Sequence, residues 1–176
     1  MQKRPFIFSI DVEPDPRLVA EHTQEPWHGF EQTVRLLTEF RPRLEDATGS
    51  KVQFSWFLRM DPQIEKSYGR PDWINHRYGN FLEEFTAQGD TVGLHTHSWR
   101  WHKKGYYFND FGSRKWTEHC LDMSFSTFRK VFARDCTEHR MGDRFLNQRV
   151  VNSLKRRGVL FELTPEPGYS SSTWVI

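Results

Sequence analysis

Cysteine is nearly absent: Cys120 and Cys136 are the only two in 176 residues, and they lack Cys-x-x-Cys spacing. That excludes a disulfide scaffold and a thiolate zinc site, and it fits a reducing compartment. Aliphatic bulk is scarce as well. Hydrophobic residues make up 36% of the chain, and no run is long enough to span a bilayer. The first ten residues hold a short apolar run but no signal-peptide core. Neither sign of charge dominates. Twenty-five Lys and Arg against 23 Asp and Glu leave a net +2, with the cations spread along the chain. No nucleic-acid stripe and no membrane-surface patch is built that way. The expected location is the cytoplasm, with neither nucleic acid nor membrane as partner.

Aromatic rings fill the gap. They make up 15% of residues and include seven Trp, so rings must supply much of the buried area. The length suits one core, and a single domain over residues 1–176 is expected. A strand-like run, a helix-like stretch and a glycine recur in turn. Strands are expected at residues 6–10, 52–57, 91–94, 137–141 and 159–163. Helical faces come from Phe30, Val34, Leu37 and Leu44, with a break or kink at Pro42. Further faces come from Tyr78, Phe81, Leu82 and Phe85, from Leu121, Phe125, Phe128 and Phe132, and from residues 146–157. Residues 95–115 read as a long polar and aromatic stretch, and 164–176 as a loop. Strands alternating with helices predict an α/β fold with parallel strands.

In such folds ligands sit at the C-terminal ends of strands. Polar residues stand at those places: Asp11 and Glu13, Arg59 and Asp61, His95 and His97, Arg140 and Asp143. Two histidines at i and i+2 leaving a strand point to one side, and imidazole suits zinc and similar ions. The same period puts Asp11 and Glu13 together. One carboxylate would bind metal while the other takes a proton. A carboxylate straight after Phe6-Ile7-Phe8 is costly to bury unless paired or metal-bound.

Ser9-Ile10-Asp11-Val12-Glu13 resembles the first motif, T-F-D-D, of the polysaccharide deacetylase-like (NodB-homology, carbohydrate esterase) family. Residues 89–97, Gly-Asp-Thr-Val-Gly-Leu-His-Thr-His, resemble its second motif. His139-Arg140-Met141-Gly142-Asp143 resembles its third, Arg-bearing motif. The resemblance implies a distorted or incomplete (β/α) barrel with parallel strands and one divalent metal, zinc by preference, held by Asp-His-His. It also implies hydrolysis of an N- or O-acetyl group on a sugar. Asp11 matches the family's general base and His95 its first metal histidine.

The sequence departs from the family pattern in three places. Val12 replaces the second Asp, so Glu13 or Asp11 itself supplies the metal carboxylate. The second histidine falls at i+2 instead of i+4, where Trp99 stands; this is similar to an H-x-H-x-W form in the wider group. The late motif with its catalytic-acid His has no match, so the C-terminal part of such a domain is expected to be missing.

Asp11 is expected as base, with Arg140 orienting Asp11 or the substrate, or else pairing with Asp143. Arg59 and Asp61, as rim residues or else as a structural ion pair, and Trp99, Trp101 and Asp143 are the expected carbohydrate contacts; the aromatic stretch from 99 to 116 reads as a substrate-facing loop offering rings for sugar stacking, or else as an aromatic-anchored loop without a ligand. Two readings stand. One is a metal-dependent carbohydrate deacetylase; the other is an impaired member that binds metal and glycan without turnover. Five strands leave open edges, so a homo-oligomer is expected.

Overall fold

Apolar side chains repeating with the strand period set the architecture. The computed structural model describes residues 7–16 and 22–166, so Phe6 and the expected loop beyond residue 166 lie outside the described residues. The elements run β1 (Ser9–Val12), α1 (His28–Thr48), β2 (Ser55–Arg59), α2 (Pro62–Tyr68), α3 (Trp73–Ala87) and β3 (Thr91–Thr96). There follow β4 (Trp99–His102), β5 (Tyr106–Asn109), α4 (Arg114–Phe132), β6 (Glu138–Met141), α5 (Gln148–Arg156) and β7 (Phe161–Glu162). Five strands form one parallel sheet in the order β1-β2-β3-β6-β7. Each strand therefore joins beside the one made before it. No helix among the described residues is long and apolar enough to cross a membrane.

Register sorts the side chains onto two faces, because successive residues of a strand point to opposite sides. Val12 aligns with Leu58, Leu58 with Leu94, and Trp56 with Val92. These join Phe30, Val34 and Leu37 of α1, Ile74, Leu82 and Phe85 of α3, and Phe128 of α4 in the main core. Trp56 stacks on Phe85 at 4.4 Å and 6°. Each such side chain, fully buried, contributes roughly 1.5–3 kcal/mol. Asp11 aligns with Phe57, Phe57 with Gly93, Arg59 with His95, and His95 with Arg140. The polar residues thus share the other face of the sheet.

Three local expectations need correction. Helix α1 runs through Pro42 instead of breaking there. Phe30, Val34 and Leu37 anchor it before the proline, and Arg41 ties the second half to Asp90 and to the Val52 carbonyl. The stretch after His97 is not loop but an antiparallel hairpin, β4 with β5. Its turn uses Gly105 at φ 85. Between β2 and α3 lies α2, which was not expected. Asp61 caps it by accepting from the Gln63 N–H at 3.1 Å, and Pro62 opens it.

Asp90 joins α1 to the sheet. Its side chain is fully buried and takes a bidentate pair from Arg41 at 2.9 and 2.7 Å. It also accepts from the Phe54 N–H and the Trp56 indole. Truncation would strand one cation and two donors. Asp90→Ala is expected to cost about 3–5 kcal/mol in urea unfolding, while Asp135→Ala, which breaks an exposed pair with Arg129, should leave the midpoint unchanged.

Candidate metal centre

Strands β1 and β3 flank β2, and their C-terminal ends bring two distant segments together. His95 lies within β3 and His97 just beyond it. Glu13 is the first residue past β1. His95 Nε2 lies 2.9 Å from Glu13 Oε1 and 2.9 Å from His97 Nε2, and His97 Nε2 lies 3.5 Å from Glu13 Oε1. Among the described residues these are the three whose donor atoms cluster closely enough that they could hold one ion. A triangle with those edges has a circumradius of about 1.8 Å, close to the usual ~2.0–2.1 Å from metal to nitrogen or oxygen, so the three residues could hold one ion together. Two imidazoles and a carboxylate form a borderline donor set that suits zinc and similar divalent ions. Both thiols are buried outside this cluster, and burial pushes Cys136 up to about 12.

The hydrogen bonds behind the ligands decide which nitrogens face inward. His95 Nδ1 donates to the Arg140 carbonyl at 3.1 Å, leaving the Nε2 lone pair for the cluster. His97 Nδ1 lies 2.9 Å from Asp143 Oδ2 and 2.7 Å from the Trp99 indole nitrogen. A carboxylate only accepts and an indole N–H only donates. The nitrogen therefore serves one of them at a time, and binding an ion through Nε2 selects the bond to Asp143. Asn109 holds Asp143 from the other side at 2.7 Å. Gly142 makes room for this arrangement, since a Cβ there would fall 2.3 Å from the His97 ring.

Electrostatics favour the ligating forms. Burial and the Arg59 charge bring His97 down to about 3, so the ring is neutral at neutral pH. Burial alone would raise Glu13, but in the ion-free chain the Nε2–H forms of His95 and His97 can donate to it, and with the Arg59 charge they hold it well below the usual carboxylate range; an ion would take the place of those protons.

Asp11 is not among the clustered donors. Its carboxylate lies 3.9 Å from His95 Nδ1, on the ring edge facing away from the cluster, and 3.4 Å from Arg140 Nε. The carboxylate within reach of the ion is therefore Glu13, and the expected metal role of Asp11 is corrected. The reason is geometric: β1 ends at Val12, so Glu13 is the residue that reaches past the sheet edge. Arg140 pairs with Asp11 and Glu166, and Asp143 with His97, so the expected alternative of an Arg140–Asp143 pair is also set aside.

Asp11, Glu13, His95, His97, Arg140 and Asp143 line one pocket of about 530 Å³, together with Met141, Arg144 and Glu166. Arg59 and Asp61 sit elsewhere: both are fully buried. Arg59 grips Asp61 through Nε at 2.5 Å and NH2 at 3.1 Å and reaches Glu13 at 3.3 Å. Asp61 also accepts the backbone N–H of His97 at 3.2 Å. Burial alone would raise Asp61, but Arg59 keeps it below its ordinary range. The pair supports two ligands from behind, and neither member is at a surface where substrate touches. Trp101 lies outside this pocket. Sequence reasoning missed Arg144, Asn109 and Glu166. Glu166 pairs with both Arg140 and Arg144, and only a loop fold that sequence does not encode by period brings it there.

No protein-family model matches the chain, and no curated protein matches it.

Metal titration of the apo protein should give one ion per chain. His95→Ala, His97→Ala and Glu13→Ala should abolish tight binding, and Asp11→Asn should keep the stoichiometry. Asp143→Ala should weaken affinity by about 10–100-fold through loss of the His97 orienting bond.

Proposed function

We propose that the protein is a metal-dependent hydrolase that removes an acetyl group from a sugar or polysaccharide precursor. The observation that carries this reading is the Glu13–His95–His97 donor cluster opening into a pocket beside Asp11. The three motifs resembling the polysaccharide deacetylase-like family meet at this one place. The sheet order supports the barrel reading as well, since parallel strands added strictly side by side are how a (β/α) barrel grows. Zinc is the proposed ion.

A divalent cation held by Glu13, His95 and His97 supplies Lewis acidity toward a carbonyl oxygen and a water molecule. The chain's own groups handle the proton. Asp11 is the base: it lines the pocket, and Arg140 at 3.4 Å orients its carboxylate. Asp143 is engaged by His97 and Asn109, and Glu166 by Arg140 and Arg144. Asp11, the more loosely held carboxylate, therefore also returns the proton to the leaving amine or alcohol. The pocket's anionic wall, the buried Arg59 and the neutral rings fix where charge can develop.

One observation favours the second reading, a protein that binds metal and glycan without turnover. Among the described residues no histidine besides the two ligands lines the pocket. His139 is fully buried, bonded to Glu162 at 2.7 Å and to Thr96 at 3.2 Å.

Acetate release from N-acetylated and O-acetylated saccharides, with and without added zinc, separates the two. The hydrolase reading expects zinc-dependent release. Asp11→Asn should lower kcat by about 10²–10⁴-fold with metal content intact. Metal binding without any acetate release would favour the second reading.

A further inference from the structure

His97 Nδ1 is claimed by two neighbours with opposite requirements. The Trp99 indole nitrogen lies 2.7 Å from it and Asp143 Oδ2 2.9 Å from it. An indole N–H needs a lone pair on Nδ1, whereas a carboxylate needs a proton there. The ring cannot satisfy both by shifting. It is 1% exposed, Gly142 backs it closely, and the Trp99 ring lies beside it, 6.3 Å between centroids and 23° apart. Neither claimant is loosely placed. Asn109 holds Asp143 at 2.7 Å. Between His97 and Trp99 the Ser98 carbonyl accepts from the Trp116 indole at 3.1 Å and from the Asp110 N–H at 3.0 Å, which pins the chain.

The ring is neutral at neutral pH, and a neutral imidazole carries a single N–H. Two forms follow. With the proton on Nε2, Nδ1 accepts from Trp99, and the Nε2–H points at His95 Nε2, 2.9 Å away, and at Glu13 Oε1, 3.5 Å away. This form satisfies Trp99 and sets the Asp143 carboxylate against a lone pair. With the proton on Nδ1, Asp143 is satisfied and Nε2 offers its lone pair to an ion. The Trp99 and His97 nitrogens, both now protonated, then face each other across 2.7 Å. Only the second form can ligate through Nε2.

We propose that Trp99 is a positioning residue that works against ion binding: its indole N–H holds His97 in the Nε2–H form, and loading the centre drives that N–H off the ring. The ring stays neutral throughout. One proton leaves Nε2 and one arrives at Nδ1 through water, with no net uptake or release. Asp143 pulls the other way, by the usual action of a carboxylate behind a ligating histidine. Together the two residues set the affinity of the centre, one lowering it and one raising it. Trp99 is also the first residue of β4, so occupancy of the centre is registered where the hairpin begins. The inference rests on the Glu13–His95–His97 centre and not on the hydrolase reading.

The test reads the histidine rings and indoles of the unmodified chain by nitrogen-15 NMR, ion-free and with one equivalent of zinc. His97 should change from the Nε2–H to the Nδ1–H tautomer, and the Trp99 indole proton should move upfield. The Trp116 indole, bonded to the Ser98 carbonyl in both states, should stay where it is. By calorimetry Trp99→Phe, which keeps a ring beside His97 but has no N–H, should bind zinc about three- to tenfold more tightly, as expected when one neutral hydrogen bond is lost from the ion-free form. A residue that only filled space would weaken binding when replaced, so the sign of the change separates the two roles. Zinc binding that leaves the His97 tautomer and the Trp99 signal unmoved would overturn the inference and leave the hydrolase reading standing. So would a Trp99→Phe protein, its Trp116 signal in place, that binds zinc no more tightly. A chain that takes up no zinc would overturn the ion centre and this inference together.

Discussion

Two imidazole nitrogens 2.9 Å apart, with a carboxylate oxygen 2.9 Å from one and 3.5 Å from the other, direct their lone pairs at one small volume. Left to themselves these atoms repel. A shared proton or a cation must sit among them, and burial sharpens the demand, because His97 is 1% exposed and His95 3%. Every neighbouring feature follows from holding this cluster in place. The Arg140 carbonyl and the Asp143 carboxylate engage the outer nitrogens and turn the inner ones toward the centre of the cluster. Arg59, buried behind Glu13, keeps that carboxylate charged and the His97 ring neutral.

The support costs stability, and the structure shows how it is offset. A fully buried guanidinium is tolerable only with good partners. Arg59 has Asp61 and Gln63 Oε1 at 2.6 Å in addition to Glu13. Asp61 in turn caps α2 and accepts the His97 backbone N–H. One carboxylate thus connects β2, α2 and the exit of β3. On the pocket side Asp143 and Arg144 both take positive φ, 53° and 55°. Such conformations cost roughly 1–2 kcal/mol per residue outside glycine, less for Asp. They are spent where Asp143 must meet His97 and Arg144 must meet Glu166.

Much of this was legible in the chain itself. Alternation of strand-like and helix-like runs gave the parallel α/β sheet, and the rule that strand ends carry chemistry picked out Glu13, His95, His97, Arg140 and Asp143. The choice between Asp11 and Glu13 was not legible. It depends on where β1 stops, and the apolar run at residues 6–10 suggested an earlier end than Val12. The Arg59–Asp61 ion pair was legible as one of two readings, but its burial was not, because a charged pair two apart looks the same from sequence whether exposed or enclosed. The aromatic stretch after His97 read as loop, although Trp-Arg-Trp-His and Tyr-Tyr-Phe-Asn flank a glycine turn in hairpin fashion. Glu166 and Asn109 were beyond reach, since side-chain contacts across long sequence separations leave no periodic trace.

The central claim is that one cation is held by two imidazoles and one carboxylate, with no sulfur. X-ray absorption on the zinc-loaded protein tests it most directly. The account predicts nitrogen and oxygen scatterers at about 2.0–2.1 Å with outer-shell features of two imidazole rings. A sulfur shell at about 2.3 Å, or a first shell without imidazole scattering, would contradict it.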